Sequence, residues 1–126
     1  VERRGVAGGS VGAGGAGADV SEGGAGDETS DDRASGESVT VDLEAGTGVG
    51  GYAQGDTLTN MENVSGSAFD DRLMGDADVN WLAGGAGDDS LDAGAGDDLY
   101  HLGSGDGNDT VSDTATQEAT ETVSEA

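Results

Sequence analysis

An oxygen-bearing side chain recurs every nine residues along one stretch of this chain: Asp71, Asn80, Asp89 and Asp98. Two residues after each comes an apolar partner: Leu73, Leu82, Leu91 and Tyr100. Carboxylates and amides at a fixed spacing, with no Cys in the chain and His101 as the single His, cannot build a soft-metal site or a nucleophilic triad. Oxygen donors alone select a hard cation. The chemistry to look for is therefore cation binding, and the elements that hold it must repeat with the same period.

Four uninterrupted nonapeptides carry that period: GSAFDDRLM (66–74), GDADVNWLA (75–83), GGAGDDSLD (84–92) and AGAGDDLYH (93–101). The frame extends backward to TLTNMENVS, with Glu62 at position six and Val64 at position eight. Position eight is thus apolar in five successive blocks. At 33% hydrophobic content, chance gives that about 0.4% of the time. LGSGDGNDTV (102–111) carries one extra residue and regains the pattern at Asp109 and Val111. Near the start, GGAGADVSE (14–22) and GGAGDETSD (23–31) repeat the frame, with Asp19 and Glu28 at position six. There Ser21 and Ser30 hold the position expected to be apolar.

In each block, six residues suit a turn and three a short strand whose apolar member points inward. Gly85, Gly87, Gly94 and Gly96 supply the positive φ that so tight a turn needs, and they aim backbone carbonyls to one side. Two nonapeptides make one coil of 18 residues. Each coil has a turn on each edge, and turns on the same edge stack at a spacing of 18: Asp71 over Asp89, Asn80 over Asp98, and Asp89 over the turn that contains Asp106 and ends at Asp109. Six to eight oxygens on a flexible loop favour Ca²⁺ over the strictly octahedral Mg²⁺. The expected metal ligands are Asp71, Asn80, Asp89, Asp98, Asp109, Asp106 and Asp19, with Gly85, Gly87, Gly94 and Gly96 in the same turns.

Composition points the same way. Asp and Glu number 27 against four Arg, a net charge of -23, and aromatics are only 3%. So little apolar bulk and so much like charge oppose a compact state unless cations neutralise it. Nucleic acid and anionic lipid are poor partners for this surface, and no apolar run approaches a membrane span. A metal is a substitute for the disulfides that the chain lacks. Arg3 and Arg4 precede a Gly/Ala run without the apolar core of a signal peptide, and a first residue of Val fits a fragment of something longer.

GGAGADVSEGGAGDE and residues 66–111, together with the connecting VTVDLEAGTGVGGYAQGDTL and MENVSGSAFDDRLMGD, resemble the repeats-in-toxin (RTX) family of haemolysin-type calcium-binding repeats. The resemblance implies an all-β fold, a right-handed parallel β-roll of GGxGxDxUx nonapeptides (U apolar), with Ca²⁺ along both edges. It also implies a monomeric module of a secreted, extracellular protein, exported through a type I secretion apparatus and folding outside the cell. Asn80, Glu28, Ser21 and Ser30 depart from the pattern.

The chain divides into a Gly/Ala-rich segment (1–13), an eroded repeat pair (14–31), a linker (32–65), the main array (66–111) and an acidic Ser/Thr-rich tail (112–126) expected to be largely disordered, or a short helix at most. Within the linker, SVTVDLE (38–44) alternates like a half-buried strand and residues 46–56 read as a loop. Asp106-Gly107-Asn108-Asp109 starts like an EF-hand loop, but Gln117 stands where its twelfth-position Glu belongs. His101 reads as a solvated strand-end residue, and Trp81 and Phe69 as partly exposed packing residues. No HExxH, GxSxG or P-loop is present, and the expected role is not catalytic. The competing roles are an adhesion or surface-layer spacer and a disordered acidic solubility segment. High-salt adaptation would also account for the acid, though not for its phase.

Overall fold

The computed structural model describes residues 3–5, 9–12, 17–23, 27–102, 107–112 and 122–125. The chain is all-β, and among the described residues the only helical element is a single 3-10 turn, Gly51–Ala53. The strands are β1 (Arg3–Gly5), β2 (Gly9–Gly12), β3 (Val20–Glu22), β4 (Glu28–Asp31), β5 (Thr40–Asp42), β6 (Thr47–Val49), β7 (Thr57–Thr59), β8 (Asn63–Ser65), β9 (Arg72–Met74), β10 (Trp81–Ala83), β11 (Ser90–Asp92), β12 (Leu99–Leu102), β13 (Thr110–Ser112) and β14 (Thr122–Glu125).

Most strands are three residues long because only positions seven to nine of each nonapeptide are free of turn-forming residues. The middle residue is buried in β9, β10 and β11, and its two neighbours are less so. That is the period-two alternation of a pleated strand with one covered face. From β8 onward, successive strands alternate between two sheets. One sheet runs β1-β3-β7-β6-β5-β9-β11-β13 and the other β14-β12-β10-β8-β4-β2. Neighbours in the array are parallel and from β8 to β12 are offset by 18 residues, with Leu73 pairing with Leu91, and Val64 and Leu82 in turn with Leu82 and Tyr100; β11 and β13 are offset by 20. An offset of 18 is the length of two nonapeptides.

The apolar members of both sheets join one cluster: Val41, Leu58, Leu73 and Leu91 from the first, Val64, Leu82 and Tyr100 from the second. Tyr100 is the largest fully buried side chain in it, and its hydroxyl accepts from the Ala93 amide (2.9 Å) and donates to the Ser112 carbonyl (3.2 Å). The cluster changes character toward the N-terminus. Ser21 and Ser30, in register with Leu58 and Val64, are buried there, although they offer almost no apolar surface.

The linker differs from its expected form. The strand anticipated over 38–44 is confined to Thr40–Asp42, and the expected loop holds β6 and the 3-10 turn. β6 pairs antiparallel with β5 and β7, so three consecutive strands enter one sheet while the other passes directly from β4 to β8. Positive φ at Gly46, Gly50, Gly51 and Gly55 permits the reversals. Strands also appear in the segment 1–13, as β1 and β2, and at the end of the tail, where β14 pairs with β12; residues 113–121 of the tail lie outside the described residues.

Candidate metal centre

Each strand is entered through the position-six residue of its block, and this fixes where the carboxylates go. Along one edge, the Asp71 amide donates to Asp89 Oδ1 (2.8 Å) and the Asp89 amide donates to Asp109 Oδ1 (3.0 Å). On the other edge, the Asn80 amide donates to Asp98 Oδ1 (2.9 Å). In return, the amides of Ser90, Thr110 and Leu99 donate to the carbonyls of Asp71, Asp89 and Asn80 at 2.8–2.9 Å. Each position-six side chain therefore clasps the coil before it. All four of Asp71, Asn80, Asp89 and Asp98 are at most 3% exposed.

Sequence reasoning missed part of this arrangement. The same clasp joins Asp19 to Asp56 (2.8 Å), Glu28 to Glu62 (2.9 Å) and Val39 to Asp71 (2.8 Å). Linker insertions stretch these spacings to 37, 34 and 32 residues, which hides them from a search at 18. Leu58, an apolar residue two places after Asp56, was the available signal.

A second, exposed ladder runs at position five. The Asp88 amide donates to Asp70 Oδ1 and the Asn108 amide to Asp88 Oδ1, both at 2.8 Å. These side chains reach toward the following coil, whereas position six reaches toward the preceding one. Asp70 and Asp89 consequently enter the space between the same two turns from opposite sides. Doubled acids at 70–71, 88–89 and 97–98 carried that signal.

The turn glycines complete the lining. A Cβ on Gly85 would lie 2.5 Å from the Ser67 carbonyl oxygen, on Gly94 2.6 Å from that of Asp76, and on Gly96 2.9 Å from that of Asp78. Stacked turns thus pack carbonyls against bare Cα atoms. Replacing Gly94 by Ala adds that clash to a φ of +86°, and should cost roughly 2 kcal/mol. Denaturant unfolding at saturating calcium measures it, with Gly36, where a Cβ meets nothing within 4 Å, as the neutral control.

The electrostatics fit a cation. Asp89 is pushed up to about 7 by burial first, then by the charges of Asp71, Asp109 and Asp70, against the Asp71 amide that holds it down. Its Oδ2 is buried with no hydrogen-bond partner. Burial also raises Asp71, opposed by the Ser67 hydroxyl and the amides of Val39 and Ser67. Asp56 rises to about 6, again chiefly by burial. Among the described residues no three His, Cys, Asp or Glu side chains gather at one point. A metal between turns would draw one or two carboxylates from the chain and its other ligands from carbonyls, a donor set suited to Ca²⁺.

These shifts set a pH dependence. Carboxylates raised in the fold bind protons that the unfolded chain releases, so their contribution to the metal-free fold is present below about pH 4 and lost as pH rises through 6 to 7. The metal-stripped chain should show more sheet signal by circular dichroism at pH 5 than at pH 8. Equal signals at the two values would contradict the shifts.

Of the expected ligands, the structure brings Asp71, Asp89 and Asp109 into one ladder, Asn80 and Asp98 into another, and Asp19 against Asp56. Asn80 turns Nδ2 to the Glu62 carbonyl (3.0 Å) and Oδ1 to the Asp76 amide (2.9 Å). Gly85, Gly87, Gly94 and Gly96 all have positive φ. Asp106 lies outside the described residues. His101 stacks on Trp81 with ring centroids 5.9 Å apart, and Phe69 is 46% exposed.

The molecule is thus an all-β repeat protein whose turns present oxygen donors to one another along two edges. The RTX calcium-binding nonapeptide repeat matches it in four copies, over residues 13–29, 65–100 and 74–111, which together make just over half of the chain. The chain belongs to that family, and its repeats are calcium-binding repeats. No curated protein matches it.

Proposed function

We propose that this chain is a calcium-dependent folding module: a right-handed parallel β-roll that stays unfolded where calcium is scarce, folds on binding Ca²⁺ outside the cell, and supports type I secretion and stability of a larger exported protein. The proposed ligands are the side chains of Asp71, Asp89, Asp98, Asp109, Asp106 and Asp19, with Asn80 a weaker donor and the turns of Gly85, Gly87, Gly94 and Gly96 supplying carbonyls. Asp70 and Asp88 join them from the adjoining coil. The module has no catalytic role and acts as a monomer.

One observation carries the reading: carboxylates buried in successive turns of a chain that has no Lys and a net charge of -23. Buried like charges need a counter-charge, and a secreted protein meets calcium at millimolar levels only after export. Titration calorimetry tests it. Ca²⁺ should bind several ions per chain with dissociation constants on the order of 10⁻⁴–10⁻³ M, and Mg²⁺ should give little heat. Equal binding of the two ions, or none of calcium, overturns the proposal.

A further inference from the structure

The linker turn between β4 and β5 holds a carboxylate in the wrong place for the repeat. In each repeat turn of the array, position one is a residue without a reaching side chain, because the position-six side chain occupies the space above it. A Cβ on Gly66 would meet Asp71 Oδ2, one on Gly75 would meet Asn80 Oδ1, and one on Gly84 would meet Asp89 Oδ2. Asp31 pairs with Ser65, and Ser65 with Ala83. Asp32 therefore stands in register with Gly66 and Gly84. Its amide donates to the Ser65 carbonyl (2.8 Å) as the Gly66 amide does to that of Ala83 (2.8 Å). Position six of the same turn is Val39, whose amide takes the clasp from Asp71 Oδ1 but which has no carboxylate of its own to give. Asp32 and Val39 have exchanged the roles of positions one and six.

The exchange leaves Asp32 fully buried, with neither carboxylate oxygen in a hydrogen bond. The nearest cation is committed elsewhere: Arg33 turns outward and closes on Asp31 through Nε (2.8 Å) and its amide (3.1 Å). Burial and the charges of Asp56, Asp31 and Asp71 push Asp32 up to about 7, and the Ser30 hydroxyl, close but outside hydrogen-bonding geometry, offsets little of it. No side chain among the described residues neutralises it, while carboxylates approach from the coil on either side of the inserted β6 strand.

We propose that Asp32 is the anchor of a divalent-cation site outside the nonapeptide repeats, binding Ca²⁺ at the seam where the linker turn 32–39 meets the first repeat turn 66–71, with Asp71 as the second carboxylate. The ion joins the N-terminal repeat pair to the main array at the point where β6 interrupts the parallel sheet. This rests on the reading of the repeats as calcium sites only for the identity of the ion.

Equilibrium dialysis of Ca²⁺ against the whole chain tests it. Asp32→Asn preserves shape and removes the charge, and should bind one ion fewer per chain than the parent while the remaining ions keep their affinity. Unchanged stoichiometry overturns the site and shows that Asp32 is held as a protonated acid. Absence of calcium binding in the parent is a different result, which overturns the repeat reading as well. Should Asp32→Asn not fold, europium luminescence on the unaltered chain decides. A site built on a fully buried carboxylate requires an ion class whose lifetime is nearly the same in H₂O and D₂O, and absence of that class overturns the proposal.

Discussion

Stripped of divalent metal at pH 8 and low ionic strength, the chain is expected to lose most of its sheet signal in far-ultraviolet circular dichroism and to regain it on return of millimolar Ca²⁺. The magnitudes leave little alternative. Strands in one sheet are about 4.8 Å apart, which is then the order of separation between successive carboxylates in a ladder. Two like charges at that distance repel by roughly 3 kcal/mol at an effective dielectric near 20. Asp71, Asp89 and Asp109 form one such ladder, Asp19 and Asp56 another, and Glu28 and Glu62 a third.

Against this stands, among the described residues, a core of twelve buried hydrophobic side chains, two of them Ala and one aromatic. Domains of ordinary composition retain only about 5–15 kcal/mol of net stability, so a few unrelieved carboxylate pairs are enough to remove it. A divalent ion between turns reverses the sign of each pair, and because the donors come together only in the folded chain, its binding energy is folding energy. Persistence of the sheet signal in excess chelator at pH 8 would mean that the apolar core is sufficient alone. Mg²⁺ in place of Ca²⁺ should restore little, since stacked carbonyl turns do not enforce a tight octahedron.

How much of this was legible beforehand depends on where spacing survives. In residues 57–101 the nine-residue period is unbroken, and the sequence alone paired Asp71 with Asp89 and Asn80 with Asp98 as the structure does. The signal fails where chain is inserted. β6 enters its sheet antiparallel because a Gly-rich segment can reverse there, and no period announces it. Ser21 and Ser30 suggested a poorly packed end, yet strand pairing with β7 and β8 buries them. In so thin a coil the backbone ladder, more than side-chain hydrophobicity, places a strand. Asp32 was illegible for a related reason: its meaning lies in a register set by pairing with Ser65, and its neighbours Asp31 and Arg33 make it look like part of a solvated charge run. The position-five ladder was visible only as doubled acids, and its direction of reach follows from backbone geometry that a linear motif does not encode.

Asp89→Ala should raise the calcium concentration at the folding midpoint by tenfold or more, and Asp98→Ala by distinctly less. The two residues occupy the same repeat position and are equally buried, at 2% exposure each, so transfer energy does not separate them. Their place in the stack does. The Asp89 side chain clasps the turn ending at Asp71, and its carboxylate feels the charges of both Asp71 and Asp109, so its removal bears on the spaces on both sides of its turn. It also faces Asp70 across the first of them. Asp98 clasps Asn80, a neutral residue already engaged with the Glu62 carbonyl and the Asp76 amide, so a cation there has less charge to lose. Loss of a hydrogen bond to a charged acceptor is worth about 1.5–3 kcal/mol, which is one to two decades in a binding constant, before any metal ligand is counted. Parallel calcium titrations of the two variants, followed by the same sheet signal, make the comparison directly. Equal shifts would place the metal outside the spaces between turns, and a larger shift for Asp98→Ala would move the principal site to the opposite edge.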